Sequence, residues 1–315
     1  MTTSGSISFS RNRDQLLTDA LLLAGVIDED ETPSSAVLSK AAVSLNAMVK
    51  HWQGTGLYVW VMSEATLFLQ ASQTRYVLGT GSTDHAAGVF VETELTADAA
   101  NGATSITVDS ITGISASDQI GIQVDDGTIH WTTVSGSPSG SSITLATGLD
   151  DTASDGALVL AYTSNIVRPL EIVSARRYNF IDARDTPIEI EGREEYFDLP
   201  NKMGSGTPNV LYYDRRGGAN ATGYLYFWQP QTAPTDAIKF TYKRPIESFT
   251  AAADDADFPQ EWTETLTYNL AARLCVSYGN REKLALVAPL AKQNLDEMRW
   301  NERELETIEF RPAMR

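Results

Sequence analysis

The stretch FPQEWTETLTYNLAARLCVSYG, Phe258 to Gly279, is the strongest helix signal in the sequence. Large apolar residues recur there at every fourth position, which places them along one face of a helix. They are Trp262, Leu266, Leu270, Leu274 and Tyr278. We expect this helix to begin near Pro259 and to need a partner surface for its apolar stripe.

Two amphipathic segments near the start of the chain predict an antiparallel helix pair joined by a short link. The first, RDQLLTDALLLAGVID, has Ser10 or Asn12 as its candidate N-cap. The second follows Thr32 and Pro33, which we interpret as an N-cap and a proline at the first helical position. Both segments carry apolar residues at helical spacing, so each predicts one buried face.

A fourth helix is predicted from about Arg281 to Glu306, and Pro289 is expected to kink it. Its apolar positions are Leu284, Val287, Ala291, Leu295 and Met298. Beyond this helix the chain ends in TIEFRPAMR, which is too short and too interrupted by proline to form a domain. We leave two interpretations open for it: a frayed tail, or a docking arm that orders on a partner.

Between the helical segments the pattern changes to short alternating runs that predict strands. Residues 89–163 are rich in Gly, Ser, Thr, Asp and Ala and nearly free of Lys and Arg. Asp125 to Gly127 is a hairpin signal between two of these runs. The strands that follow this segment are crowded with aromatic residues, which we interpret as core, with a ligand cleft as the alternative.

The predicted fold class is α+β: a helical bundle from the N- and C-terminal helices, an antiparallel β domain, and an inserted small β-barrel-like module. The predicted domain boundaries are 1–87 for the helix pair and first strands, 88–163 for the inserted module, 164–258 for the rest of the β domain, 259–306 for the C-terminal helices and 307–315 for a docking tail.

The composition excludes several classes of protein. The formal net charge of -17 and the pI near 4.5 argue against a surface built to grip nucleic acid. The single cysteine, Cys275, excludes an internal disulfide and falls inside a helical stripe, where a buried thiol is expected. No run of about 18 apolar residues and no signal peptide are found, so neither export nor membrane insertion is expected.

The sequence contains no recognisable catalytic, cofactor-binding or metal-binding motif, and we expect neither an enzyme nor a cofactor. His51, His85 and His130 match no metal-binding spacing. The adjacent carboxylates Glu194 and Glu195 do not converge, so a role in acid-base catalysis is not expected. The acidic run from Asp254 to Asp257 lacks calcium-loop spacing and is interpreted as a loop before the helix near Pro259.

Four stretches in this order resemble the head-to-tail adaptor family of short-tailed bacteriophages, also called tail tubular, head-completion or packaged-DNA-stabilisation proteins. They are Leu16 to Val26, Pro33 to Trp52 with the following GTGLYVW, TPIEIEGREEYFDLPNKMGSGTPNVLYYD, and FPQEWTETLTYNLAARLCVSYG. Together they cover the chain outside the inserted segment, which also looks like a β module seen within some members of that family.

The resemblance implies a structural protein of the virion, assembled in the host cytoplasm and located at the interface of head and tail. It implies a homo-oligomeric ring of twelve copies that docks under the portal protein and seals the DNA exit channel. The ring would carry the tail nozzle protein and could also contact a tail fibre or tailspike. DNA would pass through its lumen without specific binding, and no membrane would be involved.

The tail and the charge give two expectations tied to this function. Phe310, Arg311 and Arg315 are the candidate portal-binding residues, because an apolar anchor with two guanidinium groups suits a groove between portal subunits. An acidic lumen would repel phosphates over a Debye length of about 8 Å at physiological salt. The alternative is that the net charge only keeps the protein soluble and is spread evenly over its surface.

Two other function classes remain as alternatives at this point. A carbohydrate- or host-surface-binding tail protein would use the inserted module and the aromatic strands. An enzyme such as a cell-wall hydrolase would have only scattered carboxylates, among them Glu194 and Glu195, to work with.

Overall fold

The structure is a computed structural model that describes residues 9–56, 61–215, 222–231 and 236–301. Contacts divide the chain into two compact units. The helical unit consists of residues 1–61 and 246–315, and the sheet unit consists of residues 62–245. The fold class is therefore mixed, with helices and an antiparallel sheet, as α+β was predicted to be.

The described residues form five α-helices and fourteen strands. The helices are α1 (Arg13–Leu23), α2 (Ser35–Gly54), α3 (Arg193–Asp198), α4 (Thr263–Tyr278) and α5 (Arg281–Asn301). The strands are β1 (Met62–Phe68), β2 (Arg75–Leu78), β3 (Ala86–Ala87), β4 (Val91–Glu94), β5 (Ser105–Thr107), β6 (Gln119–Gln123), β7 (Ile129–Thr133), β8 (Ser142–Thr144), β9 (Leu158–Tyr162), β10 (Glu171–Asn179), β11 (Arg184–Ile190), β12 (Val210–Asp214), β13 (Gly223–Trp228) and β14 (Asp236–Lys243).

The four helices of the helical unit share one apolar core. Helix α4 contacts α1, α2 and α5, so it is the central helix of the four. The largest buried side chains of this core are Leu16, Leu17, Leu21, Leu45, Met48, Trp52, Trp262, Leu266, Leu270 and Leu274. The thiol of Cys275 is also buried in this core, and burial raises its pKa, as expected for a structural cysteine.

The two N-terminal helices begin at side-chain caps, one of which the sequence predicted correctly. The Asn12 side chain accepts a hydrogen bond from the Gln15 amide, and the Gln15 side chain accepts one from the Asn12 amide, which completes a capping box. The predicted N-cap of α2, Thr32, was wrong. Ser34 caps α2 through the Val37 amide, so Pro33 lies before the helix rather than at its first position.

Helix α4 buries most of the predicted stripe but not its last member. A 3-10 turn at Gln260–Trp262 leads into the helix, and Gly279 ends it in the left-handed conformation at φ 76°. Tyr278 is exposed, contrary to the predicted stripe. A four-residue spacing overshoots a helical turn by about 40° each time, so Tyr278 lies far around the helix from Trp262.

Helix α5 follows its predicted pattern and continues through Pro289. Its predicted apolar positions are directed inward: Leu284, Val287, Leu295 and Met298 contact the core of the helical unit, and Ala291 is buried. The predicted end of this helix at Glu306 lies outside the described residues.

The sheet unit contains one eight-stranded sheet in the order β2-β13-β12-β11-β10-β14-β1-β3. Neighbouring strands are antiparallel except for β11 and β12, which are parallel. Its aromatic strands bury Phe227, Phe240 and Tyr242, among others, in the core of the sheet. For these residues the burial agrees with the interpretation as core, whereas Tyr224, Tyr226 and Trp228 are only partly buried.

Strands β4 to β9 pair only with one another, in a sheet of order β4-β9-β6-β7 and a two-stranded sheet of β5 and β8. The predicted hairpin is present between β6 and β7, where Gly127 donates to the Val124 carbonyl at 3.0 Å. The chain leaves the large sheet after β3 and later returns beside β3. The hydrogen bond from the Ile166 amide to the Ala86 carbonyl, at 2.9 Å, shows this return.

An aromatic cluster joins these strands to the large sheet. Phe68 at the end of β1 lies in it, with ring centroids 5.2 Å from Phe90, 5.4 Å from Trp131 and 6.0 Å from Tyr162. His85 stacks on the ring of Trp131 at 3.8 Å, and its Nδ1 lies 2.7 Å from the Tyr162 hydroxyl. Both parts of the sheet unit therefore share one buried apolar cluster, which we call the Phe68 cluster.

Burial in the Phe68 cluster lowers the pKa of His85 from 6.5 to about 4. The unfolded chain therefore takes up a proton between these two pH values that the folded protein does not bind. We expect the sheet unit to lose stability as the pH falls through this window. Urea unfolding at a series of pH values should show a weaker dependence in this window for His85→Gln than for the wild type.

His51→Gln is the matched control, because His51 is exposed on α2 in the helical unit. This control should keep the pH dependence of the wild-type sheet unit. An unchanged dependence in His85→Gln would contradict the assignment of this proton to His85.

Candidate functional site

The outer side of α5 carries an apolar stripe that the core does not cover. Leu286 is 70% exposed and Leu290 is 46% exposed, although both are leucines within a helix. Gln293 and Glu297 continue the same line, since the four positions follow at intervals of four, three and four residues. We call these four residues the α5 stripe.

Acidic and basic residues of α5 lie on different sides of the helix. Glu282 precedes Leu286 by four residues and Glu297 closes the line, so acidic groups lie at both ends of the α5 stripe. Arg281, Lys292 and Arg299 share a different line, about 140° away. The α5 stripe therefore combines exposed leucines with a local negative charge.

Lys283 lies beside the first residues of the stripe in sequence but is directed elsewhere. Its methylene groups lie over Gly25, at the end of α1, where they would contact a side chain placed at that position. The ammonium group of Lys283 is therefore held near the end of α1 rather than along the stripe.

A second surface feature of the helical unit is a groove of about 390 Å³ beside α2. Its apolar lining comes from Leu38, Ala42, Val43 and Phe249. Val43 is 68% exposed at its edge. We call these four residues and the space between them the α2 groove.

Several polar groups around the α2 groove, those of Arg13, Asp14 and Asn46, are bonded within the helical unit. Arg13 pairs with Asp14 at 2.8 Å and donates to the Thr250 carbonyl at 3.2 Å. Asn46 donates to the Phe249 carbonyl and accepts from the Phe249 amide, both at 2.9 Å. These bonds fix the walls of the groove, and its apolar side chains and the exposed Ser35 and Ser39 form the surface available to a partner.

The acidic run before α4 is a structural loop, as predicted. Asp254 accepts hydrogen bonds from the amides of Ala251 and Thr250, which lower the pKa of its carboxyl group. Asp257 accepts a hydrogen bond from the Glu247 amide at 2.9 Å. These carboxylates bind their own backbone.

The other ionisable residues considered from the sequence do not assemble into a site. Glu194 and Glu195 lie in the first turn of the short helix α3 and are exposed. His130 pairs with Asp150 at 2.9 Å, whereas His85 lies in the Phe68 cluster. Within the described residues, no three His, Cys, Asp or Glu side chains are grouped as metal ligands.

A second aromatic cluster lies under α3, and the polar atoms of two of its members, Tyr196 and Trp228, are bonded internally. The Tyr196 hydroxyl donates to the Phe227 carbonyl at 3.1 Å. The Trp228 indole donates to the Pro200 carbonyl at 2.7 Å. A ligand cleft needs aromatic faces and also polar groups that are free to hydrogen-bond a ligand. The Tyr196 hydroxyl and the Trp228 indole already have partners within the protein.

The predicted portal-binding residues Phe310, Arg311 and Arg315 lie outside the described residues. The α5 stripe and the α2 groove were not predicted from the sequence. The sequence held one signal for the α5 stripe. Leu286 and Leu290 are spaced by four residues, and they lie on a different side of the helix from Val287 and Ala291.

Comparison with known proteins gives no further assignment. The sequence matches no protein-family model and none of the curated proteins searched. Among the helices of the described residues, none combines the length and the apolar character that crossing a bilayer requires.

Proposed function

We propose that this protein is a structural head-to-tail connector of a short-tailed bacteriophage. Copies of the chain form a ring, twelve by the family resemblance, that docks under the portal protein and seals the DNA exit channel. The ring carries the tail nozzle protein and offers contact sites for a tail fibre or tailspike. It acts in the virion, has no catalytic role, and needs no cofactor.

The observation that carries this proposal is the outer surface of the helical unit. Leu286, Leu290 and Val43 are exposed on helices whose other faces are already buried in a common core. Neighbouring exposed leucines such as Leu286 and Leu290 form an apolar surface of the kind that protein-protein contacts bury. A chain whose work is to assemble with copies of itself and with other virion proteins needs surfaces of this kind.

The positions of the family-like stretches also support the proposal. Leu16 to Val26 includes most of α1, and Pro33 to Trp52 includes most of α2. The FPQEW stretch forms the 3-10 turn and α4. We infer that the four helices of the helical unit form a helical bundle, and that β4 to β9 form the small β-barrel-like module of the resemblance.

The bonding of the aromatic residues argues against the carbohydrate-binding alternative. The polar atoms of Tyr196 and Trp228 are bonded internally, and the Phe68 cluster is an internal contact of the sheet unit. No specific observation therefore favours a sugar site, and the connector is the single function proposed.

The acidic net charge of -17 fits a channel through which duplex DNA slides without adhering. We propose that acidic side chains outnumber basic ones on the lumen wall of the assembled ring. A structure of the ring with a neutral or basic lumen would contradict this proposal, as would tight binding of duplex DNA by the isolated protein at physiological salt.

The portal-binding role of the C-terminal tail is tested by a triple substitution, Phe310→Ala with Arg311→Ala and Arg315→Ala. We expect affinity for the purified portal ring to fall about tenfold or more, because an apolar anchor and two guanidinium donors are removed together. Surface plasmon resonance on immobilised portal rings measures this change.

The matched control is Thr307→Ala with Glu309→Ala, which alters the same tail without removing the proposed anchors. The control should bind the portal as the wild type does. Equal affinity of the triple variant and the wild type would contradict the docking-arm role. Absence of portal binding by the wild type would contradict the proposed function itself.

A further inference from the structure

We propose that copies of this chain join head to tail, with the α5 stripe of one copy seated in the α2 groove of the next. This inference rests on the proposed function, since it names the two surfaces by which the ring is built. It also predicts that the occupant of both surfaces is a second copy of the same chain.

The first argument is that the two surfaces have complementary shapes. The α5 stripe projects Leu286 and Leu290 from a convex helix, whereas the α2 groove is a concavity of about 390 Å³ whose wall includes the apolar side chains of Leu38, Ala42, Val43 and Phe249 among polar ones. An apolar projection on one part of a molecule and a matching pocket on another part produce a heterologous contact. Such contacts repeat in one direction around a ring and close when the rotation between copies allows it.

The second argument is that the two surfaces lie on different helices of one unit. Helix α4 contacts both α2 and α5 and is the central helix of the unit. The side of α5 that carries the stripe is turned away from the core of the unit, and so is Val43 on α2. One copy can therefore contact one neighbour through α5 and another neighbour through α2.

The third argument is charge. Helix α2 contains no acidic residue, in a chain whose net charge is -17, and the Asp14 carboxylate on the groove wall is paired with Arg13 at 2.8 Å. Lys40 is exposed and precedes Val43 by three residues, so both lie at the same side of the helix. Glu282 and Glu297 give the α5 stripe the opposite charge, which favours the pairing of α5 with α2.

Charge also disfavours the symmetric alternatives. Two α5 stripes packed together would bring the carboxylates of Glu282 and Glu297 close to those of a second copy. Two α2 grooves packed together would bring the ammonium groups of Lys40 together and would leave both concavities unfilled. Like charges at an interface cost free energy, so neither self-pairing is expected to compete with the head-to-tail contact.

The test uses two full-length variants that each lose one surface: Val43→Glu in the α2 groove and Leu290→Glu in the α5 stripe. Both positions are exposed, so both variants should keep the wild-type helical signal at 222 nm. Each variant alone should self-associate about tenfold or more weakly than the wild type in sedimentation velocity. Each should also fail to complete rings on purified portal rings in negative-stain micrographs.

An equimolar mixture of the two variants gives the distinctive result. Val43→Glu keeps its α5 stripe and Leu290→Glu keeps its α2 groove, so one intact contact can form between them. The mixture should therefore give a dimer and nothing larger. A dimer formed by Val43→Glu alone would instead indicate contact between two α5 stripes and would overturn the inference.

The matched control is Val276→Glu, because Val276 is 67% exposed near the end of α4 and belongs to neither surface. This variant should assemble as the wild type does. A loss of assembly equal to that of the other two variants would mean that any added carboxylate has this effect, and would contradict the assignment of the two surfaces.

A charge exchange tests the same contact without altering its apolar part. Lys40→Glu and Glu297→Lys should each weaken assembly, and the double variant should recover most of the loss, because the opposite charges face each other again. Additive losses in the double variant would contradict the charge complementarity of the two surfaces.

The outcomes separate this inference from the proposed function. If Val43→Glu and Leu290→Glu both form complete rings on the portal, the assignment of surfaces is wrong and the connector function stands. If the wild type self-associates through these surfaces but does not bind the portal, the head-to-tail contact stands and the connector function is wrong.

Discussion

Trp262→Ala is expected to unfold the helical unit or to leave it marginally stable. Trp262 is 1% exposed at the start of α4, and its ring centroid lies 5.9 Å from that of Trp52 and 5.7 Å from that of Phe258. Truncating a buried tryptophan to alanine costs about 3–5 kcal/mol, because apolar contacts are lost and a cavity remains. Small domains have a total stability of about 5–15 kcal/mol, so this single change removes a large part of it.

Ellipticity at 222 nm reports on this change, because the long helices of the described residues all belong to the helical unit. The variant should lose helical signal at a lower urea concentration than the wild type. Trp300→Ala is the control of the same residue type, since Trp300 is exposed near the end of α5. Equal effects of the two substitutions would contradict the central place of Trp262 in the core.

Phe68→Ala is expected to produce the second large loss of stability, in the sheet unit. Phe68 is fully buried and contacts rings from the inserted strands, among them Trp131 and Tyr162. The expected cost is again about 3–5 kcal/mol. Because the Phe68 cluster joins β4 to β9 with the large sheet, we expect these two parts to unfold at different urea concentrations in the variant.

Hydrogen exchange followed by mass spectrometry measures this separation. The substitution should accelerate exchange in peptides from β6, β7 and β9. Exchange in peptides from β10 and β14 should be accelerated less. Phe197→Ala is the control, because Phe197 is half-exposed on α3 and lies outside the Phe68 cluster. Uniform acceleration in all strands would show that the sheet unit unfolds as one cooperative body.

The parts of the fold that were predicted correctly depend on local patterns. Asn12, one of the two predicted candidates for the N-cap of α1, caps through a hydrogen bond that spans three residues, whereas the reciprocal bond to the Gln15 side chain was not predicted. The burial of Leu266 and Leu270 follows from spacing within one helix. The N-cap of α2 was missed because Thr32 and Ser34 are both competent caps, and the choice between them depends on where the chain packs.

The candidate surfaces were not predicted because exposure depends on neighbours that are distant in sequence. The local pattern of α5 predicted the side that the core covers, which includes Val287 and Ala291, but it gave no measure of how exposed Leu286 and Leu290 are on the other side. Val287 is buried and Leu286 is exposed, as that pattern implies, but the exposed fraction of Leu286 depends on which other elements pack around α5. The Phe68 cluster is hidden for the same reason, since Phe68 and Tyr162 are far apart in the chain.

The adjacent ends of the inserted segment have an evolutionary consequence. Ala86 and Ile166 are joined by a backbone hydrogen bond, so a related chain needs only a tight turn between these positions to lack the whole segment. Gain or loss of the segment leaves the strand order of the large sheet unchanged. Loss of the segment uncovers the ring of Phe68, however. Lineages without the segment are therefore expected to carry a polar residue at that position.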